Sequence, residues 1–142
     1  MYKKIDLTMV LNGALAGLVS ITAEPLAPSI GGATIIGAIG GVIVVFAVPM
    51  LDKLKIDDVV GAISVHGIAG IWGTIAVVFS GGSISAQIIG TVSICLFIFI
   101  LSLVIWYILD ALIGIRVSEE DELTGLDTTE LGMDAYPDFS KN

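Results

Sequence analysis

Fixed charge is nearly absent from most of this chain. No Asp, Glu, Lys or Arg occurs between Val59 and Leu109, and between Leu7 and Leu51 the one charged residue is Glu24. A helix on a water-facing domain carries a polar face at helical spacing; these stretches carry none, which excludes an ordinary soluble helical domain. Cysteine is reduced to Cys95, inside an apolar run. That excludes an internal disulfide framework and a cysteine metal cluster, and predicts a small buried apolar role for Cys95. Histidine also occurs once, so a bis-histidine haem site needs a second chain, and no cofactor or metal is expected. Lys and Arg total 6 and form no patch suited to nucleic acid. The apolar stretches hold no paired carboxylates, no nucleophile with a base beside it and no phosphate-binding loop, so nothing points to an enzyme. Apolar sequence follows Met1-Tyr2-Lys3-Lys4 almost at once, and no cleavable signal peptide is visible.

Apolar sequence is what the chain has in abundance. It is 56% hydrophobic and 14% charged, against roughly 45–50% and about 25% in soluble domains. About 20 apolar residues cross the hydrocarbon of a bilayer, so each of the two uncharged stretches is long enough for two spans. Turn signals divide them into four predicted helices, at about 5–22, 33–51, 59–80 and 84–113. The breaks fall at Glu24-Pro25-Leu26-Ala27-Pro28-Ser29, at the polar connection Asp52–Asp58, and at Gly81-Gly82. The expected fold is all-α: an integral membrane four-helix segment over 1–116, with a tail over 117–142.

Eight of the fourteen acids follow Arg116, so the net charge of −8 belongs largely to that tail. There Ser118-Glu119-Glu120-Asp121 reads as a helix N-cap with acids in the first turn. Lys3, Lys4, Lys53, Lys55 and Arg116 all fall on one side of a four-span layout, and the two opposite loops hold no Lys or Arg. The positive-inside bias then places both termini in the cytoplasm. Small residues recur at four-residue spacing, as Gly13 and Gly17, Gly37 and Gly41, and Ala69 and Gly73, and are expected to pack helix against helix.

His66 is the conspicuous candidate for function. It follows Asp58 by eight residues, which at 1.5 Å per residue puts it about 12 Å into the membrane, where an ionisable side chain signals function. On a regular helix it shares a face with Gly70, Gly73 and Val77. Burial there favours neutral imidazole, with one donor and one acceptor nitrogen. Such a ring can accept a hydrogen bond or a proton from a small cation; the bland alternative is a histidine bonded to a neighbouring helix. Asp57 and Asp58 stand where the third helix should begin, and complementing its dipole accounts for them. Glu24 is expected as a solvated loop acid, and Trp106 and Tyr107 as interfacial anchors.

Three stretches together carry a family resemblance. Asn12-Gly13-Ala14-Leu15-Ala16-Gly17-Leu18-Val19-Ser20-Ile21-Thr22 resembles the eighth helix of the Amt/MEP/Rh ammonium transporters. Asp57-Asp58, with Val65-His66-Gly67-Ile68-Ala69-Gly70-Ile71-Trp72-Gly73, resembles their tenth helix. The run from Gly114-Ile115-Arg116-Val117 to Gly125-Leu126-Asp127 resembles the start of their cytoplasmic tail. Near the end, Leu131-Gly132-Met133-Asp134-Ala135-Tyr136 is similar to a tail pattern in which a histidine usually stands at the position of Leu131.

The resemblance implies the last four helices of an eleven-helix fold, in a homotrimer of the plasma (inner) membrane. It implies ammonium or ammonia as substrate, and a pore between two pseudo-symmetric halves. His66 matches the second of two pore histidines. It further implies N-terminal helices that this sequence does not contain, and a PII-type signal protein at the cytoplasmic face. The expected function is ammonium transport as part of a transporter that is incomplete with these helices alone. The alternative is a non-conducting membrane subunit that binds a full-length transporter or a PII-type regulator.

Overall fold

A computed structural model describes residues 5–134 and is helical in the regions that sequence patterning marks. Lys3 and Lys4, used for the orientation, and Ala135 and Tyr136 of the tail pattern lie outside the described residues. Helix α1 spans Leu7–Ile21 and is capped by Asp6, whose carboxylate accepts from the Met9 amide at 3.0 Å. Helix α2 spans Ile30–Lys53 and begins three residues before the predicted start, because the Ser29 hydroxyl caps the Gly32 amide at 3.2 Å. It ends with Lys55 in the left-handed region (φ 58°), where the Ile56 amide reaches back to the Leu51 carbonyl at 3.0 Å.

The third apolar segment departs from a regular helix. It was expected from about residue 59, but Val59–Gly61 form a turn and the helix opens as a π-helix over Ala62–Ile68. Helix α3 continues over Ala69–Ala76 and tightens to a 3₁₀ turn at Val77–Ser80. Gly61 sits at φ +75°, which only glycine adopts without strain, and this lets the chain turn into the π segment. Helix α4 spans Ile84–Ile113. Ile30–Lys53, Ala62–Ser80 and Ile84–Ile113 are long and apolar enough to cross a membrane, and α1 is a shorter apolar helix.

The chain forms two compact units, one up to Cys95 and one from Leu96. In the first, α1, α2 and α3 pack on one another through backbone rather than bulk. A Cβ placed on Gly17 would lie 3.3 Å from the Gly37 carbonyl oxygen, and one on Gly37 would lie 3.3 Å from that of Gly17. Gly41 meets the Gly13 carbonyl at the same distance, 3.3 Å, while the space beside Gly13 itself is open. At Gly73 the approach is tighter still, because a Cβ there would stand 2.6 Å from the Ser20 carbonyl oxygen. Ser20 is buried at this seam, and its hydroxyl donates to the Ala16 carbonyl at 2.7 Å. The Trp72 indole N–H donates to the Ile36 carbonyl at 3.0 Å, tying α3 to α2. Ala16, Val44, Val65 and Ala69 form the buried centre of this unit.

The second unit holds the latter part of α4 and two short helices, α5 (Glu119–Thr124) and α6 (Leu126–Leu131). Ser118 caps α5 by accepting from the Asp121 amide at 3.1 Å, and Arg116 Nη2 bridges both Glu122 oxygens at 3.1 and 2.8 Å.

Candidate functional site

Asp58 and the π-helix place His66. One carboxylate oxygen of Asp58 accepts from the Ile63 amide at 2.8 Å and the other from the Ser64 amide at 2.9 Å. Burial acts against the charge of Asp58, yet these backbone donors outweigh it and hold the carboxyl below its ordinary 3.8. Asp58 thus takes up amides that have no carbonyl partner at a helix start. The wider π turn then carries the chain to Ala69, whose amide reaches the Ser64 carbonyl five residues back. Single π turns inside helices recur at functional sites because they re-aim one side chain; here the side chain in the turn is His66.

His66 opens into a cleft of about 480 Å³. On its own side the cleft is lined by Gly67, Gly70, Ile71 and Thr74, with Val19 and Thr22 from the end of α1. The first turns of α4 supply Gln87, Gly90, Thr91, Ile94 and Cys95. The shared face expected for His66 is therefore split. Gly70 lines the cleft beside it, whereas Gly73 turns to Ser20 of α1 and Val77 lines a separate small cavity. The π turn shifts the phase of the residues that follow it, which sequence spacing on a regular helix does not capture.

Three other expectations need correction. His66 is exposed within the cleft rather than buried. Cys95 is exposed too, and lines the cleft instead of filling a core. Glu24 is half-buried, with one carboxylate oxygen enclosed and unbonded at a cavity shared with Ser20, Gly73 and Ser80. Of the acid pair at the start of the third segment, Asp58 is the one whose carboxylate bonds backbone amides there.

The polar groups around His66 are oxygen-rich. The Thr22 hydroxyl donates to the Val19 carbonyl at 2.8 Å and the Thr74 hydroxyl to the Gly70 carbonyl at 3.0 Å, so each has spent its proton and keeps lone pairs to accept with. Such a set suits a small ligand rich in N–H donors. Thr22, Thr74, Gln87 and Thr91 escaped sequence reasoning. Their signal was faint, Gln87 and Thr91 being polar residues four apart in a largely apolar helix.

Comparison with known proteins decides the family. The model of the Ammonium Transporter Family matches residues 1–136. Ammonium transporter Amt1 of Haloferax mediterranei is 42% identical over 143 residues, covering 96% of this chain and 28% of that protein. The chain belongs to the ammonium transporter family. Ammonium transporter Amt2 of Archaeoglobus fulgidus is 37% identical over 158 residues, covering 96% of this chain and 34% of its own length. The ammonium transporter of Bacillus subtilis is 35% identical over 159 residues, covering 96% of this chain and 38% of that protein. The chain thus spans about a third of the length of these relatives, and its apolar helices make it a multi-pass membrane protein.

Proposed function

We propose that this chain forms the C-terminal part of an ammonium transporter and that His66 lies in the path of the substrate. The observation that carries this reading is the cleft, where an imidazole stands among hydroxyls whose lone pairs remain free, within an apolar segment. An ammonium ion must shed water to enter such a segment, and each lost hydrogen bond needs a replacement. The oxygens of Thr22 and Thr74 accept N–H donors, and the acceptor nitrogen of His66 takes another. Transfer of that proton to the imidazole leaves neutral ammonia, which crosses an apolar path at far lower cost than an ion. The imidazolium then passes the proton to the next acceptor and is reset.

The cleft is open, and about two thirds of the relatives' length lies outside these residues. We therefore assign the facing wall to further transporter helices, with the assembly a homotrimer. The positive-inside bias of Lys53, Lys55 and Arg116 supports a cytoplasmic loop after α2 and a cytoplasmic tail, and a tail on that side would be available to a PII-type signal protein. Asp57 is assigned a supporting charge beside the start of the π segment. Gly17 and Gly73 keep the helices close enough to shape the cleft, Gly13 offers its carbonyl to the approach of Gly41, and Gly70 lines the cleft itself.

Methylammonium uptake in cells without their own ammonium transporters tests this. The chain is expressed alone, with the N-terminal helices of a relative, and with those helices and His66→Ala. Uptake is expected only in the pair, with His66→Ala lowering it at least tenfold. Uptake unaffected by the substitution would remove His66 from the path. If both pieces reach the membrane and nothing is taken up, the non-conducting subunit becomes the better account.

A further inference from the structure

Helix α4 has no fully buried residue, and in its first three turns only Gln87, Gly90 and Thr91 are even partly covered. These positions, i, i+3 and i+4, form one face, and that face lines the His66 cleft. The one covered strip of this otherwise exposed stretch therefore carries two hydrogen-bonding side chains.

Thr91 differs from Thr34 and Thr74 in how it uses its hydroxyl. A helical threonine ordinarily bonds back to a carbonyl one turn earlier. Thr34 does so to Ile30 at 2.8 Å and Thr74 to Gly70 at 3.0 Å. The Thr91 hydroxyl is enclosed and has no partner among the described residues. An enclosed, unbonded hydroxyl is costly, more so where no water is at hand. The Gln87 side chain, one turn earlier on the same face, adds an amide carbonyl and an NH₂ group.

We infer that Thr91 and Gln87 contact the nitrogen substrate from the α4 side of the cleft, opposite His66, Thr22 and Thr74. This rests on the reading that His66 is part of the substrate path, and it adds specificity. Acceptors on two sides suit a compact ion with N–H donors in every direction. Potassium can be coordinated by the same oxygens but has no N–H to direct at them, so the preference for the nitrogen ion rests on the placement of the acceptors. Methylation of the nitrogen costs one donor.

The test follows two probes in the full chain, held in lipid nanodiscs and titrated with ammonium chloride against potassium chloride at constant pH and ionic strength. The chain has one histidine, so its imidazole nitrogen resonances are unambiguous, and the Thr91 methyl reports the other side. Both probes are expected to shift with one shared dissociation constant. Thr91→Val and Gln87→Met should each weaken it roughly tenfold, the loss of one hydrogen bond to a charged partner. Thr91→Ser should restore it, and Ser93→Ala, exposed and off the cleft, should leave it unchanged. If His66 responds and Thr91→Val and Gln87→Met bind as the parent does, the inference falls and the reading of His66 stands. If Thr91 responds and His66 is silent, the α4 contact stands and the role of His66 falls. Silence of both probes overturns both.

Discussion

Asp58 shows how much one side chain arranges. Both its oxygens are bonded to amides at the mouth of the π-helix, at 2.8 and 2.9 Å, so it fixes where the helix begins and where His66 points. Its carboxyl is held below 3.8 in the folded chain, so the folded state favours the charged form. The stabilisation is complete above the unfolded value of 3.8 and is lost as pH falls below it toward the lower folded value. Asp58→Ala leaves two amides without acceptors and should cost about 0.5–2 kcal/mol, as for lost helix caps. Asp58→Asn should cost less and remove this part of the acid sensitivity. Unfolding in mixed micelles, followed by circular dichroism at neutral pH and near pH 3, checks both.

At the scale of helices, the seams between α1, α2 and α3 are built from glycine and small residues. A bilayer gives apolar side chains no reason to prefer protein over lipid, so close backbone approach and its dispersion contacts hold helices together. The Gly73 seam has no slack, since its neighbour at 2.6 Å is Ser20 backbone rather than a movable side chain. Gly73→Val should separate α3 from α1 and destabilise the unit by at least the roughly 1–3 kcal/mol typical of overpacking. Gly13→Ala meets open space and should instead stabilise α1 by roughly 0.5–1 kcal/mol through helix preference. Comparing the two in the same micelle assay separates crowding at a seam from a general effect of losing glycine.

For the whole molecule, the decisive fact is how little is buried. The buried centre of the first unit is small, while large apolar side chains such as Ile5, Leu26, Ile89, Phe97 and Phe99 are exposed. In water, surfaces of this size aggregate; in a bilayer they are solvated by lipid or by further helices. The basic residues after α2 predict which side each loop takes. In a Cys95→Ala background, Leu54→Cys should be labelled by an impermeant maleimide only from the cytoplasmic side, and Leu26→Cys only from the opposite side. Both side chains are well exposed, at 61% and 97%. Labelling of both from one side would mean that α2 does not cross the membrane.

The sequence by itself determined that the chain is a set of apolar helices and about where they break, and it singled out His66 as the one imidazole among them. These properties follow from composition and local punctuation: runs without charge, proline and glycine at the ends, one imidazole in an apolar stretch. Pairing Gly17 with Gly37, Gly41 with Gly13 and Gly73 with Ser20 was beyond it, because spacing along one helix does not say which helix it meets. The π turn at Ala62–Ile68 was equally hidden. It depends on Asp58 capturing two amides and on Gly61 taking a left-handed conformation, and its phase shift moved Gly73 away from His66. Only the tertiary structure brought Gln87, Thr91 and Cys95 to the same cleft as His66, some twenty to thirty residues away in sequence, because that proximity is a property of packing and not of any local pattern.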